Sequence, residues 1–316
     1  MLNTDIKNSK TQAKPFVKWA GGKGQLISSI ERILPIEIHK IQDLTYVEPF
    51  VGGGAMLFWT LNNIKNIKNA VINDINADLT SAYKTIRDNV FDLIIELKYI
   101  EKEYKSLQSE KGRKEFYLTQ RGRFNTKQLN AIENTSLFIF LNRTGFNGLY
   151  RVNSKGVFNV PFGKYKNPTI CDENTILADS ELLQKVKILT GDFEKTLHYA
   201  TANTFFYFDP PYKPLSQTSS FTSYTKENFN DDEQIRLKRF CDKLDKQNYL
   251  WILSNSDVKS NNPANNFFDN LYSDYKINRV WASRSINANP EKRGKLKELL
   301  ITNYHHEKPV EYVYSN

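Results

Sequence analysis

Five short apolar runs have the length and composition of buried strands. They are Leu44-Thr45-Tyr46-Val47-Glu48-Pro49-Phe50, Ala70 to Asp74, Val186 to Thr190, Thr204 to Phe208 and Asn248 to Leu253. Between them, apolar residues recur every three or four positions, which predicts helices over Gln25–Leu34, Ala55–Leu61, Asp78–Asn89, Val90–Tyr104 and Asp231–Lys246. The last places Ile235, Leu237, Phe240 and Leu244 on its apolar side, and Ser136–Leu141 reads as the buried part of a further helix. Tyr275–Ala282 and Glu298–Asn303 suit an antiparallel closing pair around a basic turn with Arg284, Lys292, Arg293 and Lys295. Strands alternating with helices predict an α/β fold whose mixed sheet is mostly parallel.

Two segments break this rhythm. Lys111–Arg123 carries Arg113, Lys114, Arg121 and Arg123, and reads either as a solvated face or as a phosphate-contacting one. Asn142 to Pro168 holds neither period; glycines recur, and Arg, Lys, Asn, Tyr and Phe interleave. Those residue types serve base readout, phosphate contact and stacking, while the plainer reading is a β-hairpin insertion with ordinary surface charges. Ser216–Thr225 is Ser/Thr-rich and is expected to be mobile until a ligand orders it.

The chemistry gathers at strand ends. Thr204–Phe208 stops at Asp209-Pro210-Pro211-Tyr212, where the prolines forbid both ladder pairing and helix continuation. A carboxylate then stands where open α/β sheets bind ligands. With Tyr212 beside it, the turn offers acceptors and a stacking face but no nucleophile, which suits a planar substrate with an exocyclic amino group. The competing reading is a strand-ending turn whose Asp only caps the chain. The Glu48 strand runs into Gly52-Gly53-Gly54 and a helix, a nucleotide-binding turn in the doubly wound sense without the G-x-G-x-x-G spacing. Asp74 follows about 20 residues on, where an acidic residue meets a ribose hydroxyl. Lys18-Trp19-Ala20-Gly21-Gly22-Lys23 is a second glycine turn, and Gly24 after the lysine rules out a P-loop.

Composition narrows the class. The chain has 316 residues, 40% hydrophobic, enough for a large α/β domain with an inserted lobe. A formal charge of +9 with abundant aromatics suggests a polyanionic partner. Cys171 and Cys241 stand alone, and His39, His198, His305 and His306 form no HExxH pattern, so neither a disulfide framework nor a metal motif is expected. No apolar run approaches membrane-spanning length, and Met1 to Lys14 is polar, without the apolar core of a signal peptide. A flexible arm and a cytoplasmic, reducing setting are the expectation.

Taken together, Lys18–Lys23, Val47–Gly54, Asn73-Asp74, Gly191-Asp192-Phe193 and Asp209–Tyr212 resemble the motifs of S-adenosylmethionine-dependent DNA adenine-N6 methyltransferases. Their order is that of the Dam-like or DpnM-like alpha group, the D12 class, and Asn142–Lys166 looks like that group's recognition segment. The resemblance runs from Phe16 to about Tyr304. It implies a Rossmann-like methyltransferase domain, 15–76 with 177–316, and an inserted target-recognition domain, 77–176, after an arm of 1–14. It places Trp19, Lys23, Glu48, Phe50, Gly52 and Gly54 in the cofactor pocket, Asp74 at the ribose, and Asp192 and Phe193 at the cofactor's adenine. Asp209, also at the cofactor, would act with Pro210, Pro211 and Tyr212 on a flipped adenine. Lys18, Phe146, Asn147, Leu149, Arg151, Asn153, Pro161, Tyr165 and Lys166 would meet double-stranded DNA, with GATC the target most resembled. No metal is implied, nor a membrane; a cognate restriction endonuclease and a monomeric or weakly dimeric state are compatible with the group.

The rivals are weaker on residues. A cytosine-C5 methyltransferase needs a cysteine nucleophile, normally after proline, and Ile170 and Phe240 precede the two cysteines here. Cytosine-N4 methyltransferases usually carry Ser or Asn at the Asp209 position. A DNA-binding protein or nuclease without this catalysis has no use for the intact cofactor motifs.

Overall fold

The computed structural model describes residues 11–19, 21, 24, 26–214, 229–283 and 295–305. In chain order the elements are α1 (Ile27–Ile33), β1 (Leu44–Glu48), α2 (Ala55–Asn63), β2 (Ile67–Asp74), α3 (Ala77–Asp88), α4 (Val90–Ser106), α5 (Glu110–Asn125), α6 (Ala131–Thr144) and α7 (Glu173–Leu183). Then come β3 (Val186–Thr190), β4 (Thr204–Phe208), α8 (Asp231–Asp245), β5 (Leu250–Ser256), α9 (Phe267–Leu271), β6 (Lys276–Ser283) and β7 (Lys295–Thr302).

The seven strands form one sheet in the order β3-β2-β1-β4-β5-β7-β6. The five strands from β3 to β5 are parallel, and β7 pairs antiparallel with both β5 and β6. The chain winds outward from β1 through β2 to β3, then crosses back to place β4 on the other side of β1. That reversal opens a crevice at the carboxyl ends of β1 and β4, the position where such sheets take ligands.

Both sheet faces are covered, which explains why β1 and β4 are buried at every position. Tyr46, Phe205, Tyr207 and Ile252 face a core shared with α1 to α7. Val47, Phe206, Phe208, Trp251 and Leu253 face a second core with Leu237, Phe240 and Leu244 of α8. The helices of the expected insert thus share the first core with the sheet. Caps mark the helix starts: Asn76 accepts from Leu79 N–H, and Asn130 with Glu133 forms a reciprocal capping box on α6.

Several boundaries move. β5 continues through Ser254-Asn255-Ser256 because β7 pairs with it there, Ser256 opposite Glu298. On α8, Gln234 is fully buried in line with Leu237, Cys241 and Leu244, whereas Ile235 is only half-buried. The polar Gln234 occupies the inward line because its amide is satisfied there. Ala13 is buried and its carbonyl accepts from Asn62, while Lys14 N–H donates to Asp179, so Ala13 and Lys14 belong to the packed chain rather than to an arm. The segment after α6 contains only isolated bridges, Gly145 with Phe162 and Val152 with Phe158, rather than a hairpin ladder. The Ser216–Thr225 stretch and most of the basic turn (Arg284, Lys292, Arg293) lie outside the described residues.

Candidate active site

Three carboxylates stand at adjoining strand ends: Glu48 closes β1, Asp74 closes β2, and Asp209 follows β4. Glu48 is 2% exposed and its Oε2 accepts from Tyr46 Oη at 2.8 Å. Burial pushes its carboxyl well above the usual range; the Tyr46 hydrogen bond opposes this, and the negative charges of Asp209 and Asp74 add to it. Asp74 accepts Asn76 N–H on Oδ1 at 2.9 Å and Gly52 N–H on Oδ2 at 3.1 Å. Burial raises its pKa also, against the pull of those amides.

The glycine loop between them is shaped by its neighbours. Gly54 has φ +78, and a Cβ there would meet Tyr83 Oη at 2.4 Å; Tyr83 in turn donates to the Gly52 carbonyl. A Cβ on Gly53 would meet Trp19 Cβ at 2.9 Å. Trp19 stacks on Tyr150 with centroids 5.5 Å apart, so it joins this loop to the 142–168 segment. Lys23 lies outside the described residues.

On the β3 side, Asn73 Nδ2 donates to the carbonyls of Pro49 and Gly191, tying the ends of β1, β2 and β3 together. Its Oδ1 is buried without a partner among the described residues. Phe193 is buried and its ring lies 5.3 Å from Phe50. Asp192 takes the Glu194 N–H at 2.9 Å and a two-pronged contact from Arg236. Arg236 first, and that amide second, hold its carboxyl below the ordinary range against a burial effect of opposite sign.

The Asp209 turn is braced from β5, β7 and α8. Ser254 Oγ donates to Asp209 Oδ1 at 2.9 Å. Pro211's carbonyl accepts from Gln234 Nε2 at 3.1 Å, Gln234 Oε1 accepts from Asn255 Nδ2, and Asn255 Oδ1 accepts Lys213 N–H. Tyr212 Oη donates to Glu298 Oε2 at 2.8 Å, and burial first, then Asp209 and Glu298, keep the phenol protonated. These braces escaped the sequence reading. The signals were present: polar Ser254, Asn255 and Ser256 ending an apolar strand, and a glutamine on the apolar line of α8.

The 142–168 segment is assembled around Asn142, which is buried and accepts Lys18 N–H while donating to the carbonyls of Lys18 and Gly148. Gly148, at φ +64, lies so close that a Cβ would strike Lys18 Cδ at 2.6 Å. Lys18 Nζ sits 5.6 Å over the Tyr165 ring. Phe146 is 51% exposed, Asn147 is exposed at φ +55, and Leu149 packs partly into the core. Arg151 is exposed, with Nε on Asn159 Oδ1 at 2.8 Å and Nη2 on the Asn159 carbonyl at 3.2 Å. Pro161 and Lys166 are exposed; Pro161's carbonyl accepts Phe146 N–H. Asn153 spends its Oδ1 on the amides of Lys155 and Val157, a turn-forming role. On α5, Arg113 is buried and donates to the Leu107 carbonyl, and Arg121 to that of Val160, so these two act as internal braces, not as a solvated face.

Among the described residues no group of three or more His, Cys, Asp or Glu could hold a metal ion, and no helix is long and apolar enough to cross a membrane. The donor set fits a nucleoside bearing a positive charge. Asp74 keeps acceptor capacity beyond its two amides, the three carboxylates favour a cation, and the glycine loop admits close backbone approach.

Comparison with known proteins agrees with this geometry. Residues 19–286 match the family described as D12 class N6 adenine-specific DNA methyltransferase. The chain is 50% identical over 296 residues to the Type II methyltransferase M.MjaIII of Methanocaldococcus jannaschii, covering 93% of this chain and 100% of that protein. It is 40% identical to the Type II methyltransferase M1.LlaDCHI of Lactococcus lactis subsp. cremoris, covering 95% and 98%. To a DNA adenine methylase of Haemophilus influenzae it is 36% identical, covering 92% and 94%.

Proposed function

We propose, for a chain that belongs to the D12 class of N6 adenine-specific DNA methyltransferases, that its Asp209 pocket receives an adenine flipped from duplex DNA, within GATC, beside bound S-adenosylmethionine. The observation that carries this reading is the bracing of Asp209, Pro211 and Tyr212 by Ser254, Gln234 and Glu298 at the carboxyl end of the sheet. N6 of a paired adenine lies inside the stack, so the base must leave it to reach such a crevice.

When bound, S-adenosylmethionine supplies an electrophilic methyl group. Asp74 holds the ribose hydroxyls, and Glu48 supplies negative charge near the methionine end. Asp192 accepts from the adenine amine, while Phe50 and Phe193 provide the apolar wall. On the substrate side, Asp209 and the Pro210 carbonyl accept the two N6 hydrogens and align the nitrogen lone pair with the methyl group. Asp209 then takes the proton that N6 sheds. Tyr212, fixed through Glu298, stacks on the base. Pro211 acts through its carbonyl, as the anchor of the turn.

The recognition unit of 77–176 supplies sequence choice. Arg151 reads a guanine, Asn147 and Leu149 contact bases, Phe146 fills space left by the flipped adenine, and Lys18, Tyr165 and Lys166 engage neighbouring bases or phosphates. Two relatives carry the name Type II methyltransferase, which supports a restriction–modification setting for this chain, alongside a cognate endonuclease in the cytoplasm. Methylating a random-sequence duplex library and mapping the modified adenines tests the target: GATC enrichment supports it, and enrichment of another site replaces it.

A further inference from the structure

We propose that Arg236 is the positioning residue that makes Asp192 an obligate hydrogen-bond acceptor, and so fixes the cofactor site's preference for a 6-amino over a 6-oxo purine. The proposal rests on the cofactor reading above, in which Asp192 meets the purine edge. Arg236 belongs to α8, while Asp192 follows β3, 44 residues earlier. Nη1 of Arg236 donates to Asp192 Oδ1 at 3.2 Å and Nη2 to Oδ2 at 2.7 Å, which orients the carboxylate plane.

Arg236 is itself fixed from three further sides. Nη1 donates to Glu194 Oε1 at 2.9 Å, and Nη2 and Nε donate to Glu233 within its own helix. Its guanidinium carbon sits 4.2 Å over the Phe193 ring, so the cation also roofs the aromatic wall of the same pocket. Three acids surround one guanidinium here, with Lys195 the other nearby cation. A surface ion pair of one lysine and one acid would leave the carboxylate free to turn; this fork does not.

The acceptor count makes the specificity argument. Asp192 Oδ1 takes Arg236 and the Glu194 amide, whereas Oδ2 takes Arg236 alone in these contacts. A carboxylate oxygen has about two lone-pair sites, so Oδ2 keeps capacity for one more donor. A 6-amino group supplies that donor; a 6-oxo group presents an acceptor to an acceptor and is repelled. Asp192 is in reach of such a ring because Gly191 is locked to the end of β2, its N–H donating to the Asp74 carbonyl and its own carbonyl accepting from Asn73. A nucleoside with its ribose at Asp74 therefore extends its base toward Asp192 and Phe193.

The test is calorimetric binding of S-adenosylhomocysteine and S-inosylhomocysteine to the full chain, without DNA or turnover. Wild type is expected to favour the adenosyl compound by roughly tenfold or more, the scale of one hydrogen bond to a charged acceptor. Arg236→Gln should narrow that ratio several-fold, and Arg236→Lys should restore part of it by retaining the charge without the fork. Asp192→Asn, whose amide can donate to a 6-oxo group, should reverse the preference toward the inosyl compound. An Arg236→Gln protein that keeps the wild-type ratio, or that loses both ligands in equal proportion, overturns the proposal. A wild-type chain that binds neither compound instead overturns the cofactor reading, so the two failures are distinguishable.

Discussion

Ser254 donates from Oγ to Oδ1 of Asp209 at 2.9 Å, across 45 residues of sequence, and Tyr207 Oη lies 3.3 Å behind the same hydroxyl. A buried chain of three polar groups thus ends on the carboxylate proposed to receive N6. Because Ser254 touches Asp209 rather than substrate, Ser254→Ala should lower kcat by roughly ten- to a hundredfold, with cofactor affinity unchanged. Steady-state kinetics with cofactor calorimetry checks this; an unaltered kcat would leave the serine a packing residue.

Asp74 receives two backbone amides and, in the proposed complex, the ribose hydroxyls. Asp74→Ala should weaken cofactor binding by about 1.5–3 kcal/mol and leave cofactor-free DNA affinity close to wild type. An unchanged cofactor dissociation constant would confine Asp74 to holding the glycine loop.

Arg151, proposed to read a guanine, is tethered to Asn159 through Nε and Nη2, and its Nη1 has no partner among the described residues. Arg151→Ala should relax discrimination at one guanine by roughly 1–3 kcal/mol, with Asn159→Ala giving a smaller loss at the same position. Lys166→Ala should weaken all sequences alike and reduce the salt slope. Competition assays on GATC duplexes and single-base variants at two salt concentrations separate the cases; equal losses on every duplex with Arg151→Ala would make it a positioning residue.

Asp179 on α7 is fully buried, with Oδ1 accepting Lys14 N–H at 2.9 Å and Oδ2 unpaired among the described residues. Burial, opposed by that amide and reinforced by Asp172, raises its pKa to about 8. The folded state therefore holds a proton that the unfolded chain loses near pH 4, and stability should fall between about pH 4 and 8 by at most about 1.4 kcal/mol per unit. Asp179→Asn keeps an acceptor for Lys14 and removes this slope. Denaturation curves should show the variant equal to wild type at or below about pH 4 and more stable near pH 9; parallel pH profiles would exclude the effect.

Much of the scaffold was legible because its determinants are local. The Thr204–Phe208 strand is aromatic at its last four positions and is followed by Asp209 and two prolines, and β1 and β2 each end in an acidic residue beside a turn. The antiparallel closing pair of β6 and β7 was legible as well, but the other pairings between distant segments were not. Only the antiparallel partner β7 carries β5 through Ser256, and that extension brings Ser254 and Asn255 to the Asp209 turn. Gln234 was hidden for the same reason, since its amide is satisfied by Pro211 and Asn255 from two other elements. The charges of α5 misled in the opposite direction: Arg113 and Arg121 find carbonyls within the fold, which no composition count reveals.

The most direct test incubates wild type and Asp209→Ala with duplex DNA and methyl-labelled S-adenosylmethionine, digests the DNA to nucleosides and identifies the labelled base. The account predicts label in N6-methyladenine alone, with turnover of Asp209→Ala reduced by several orders of magnitude and its cofactor affinity within about tenfold of wild type, roughly 1.4 kcal/mol. Label in cytosine, or an Asp209→Ala enzyme that methylates adenine at the wild-type rate, would contradict it.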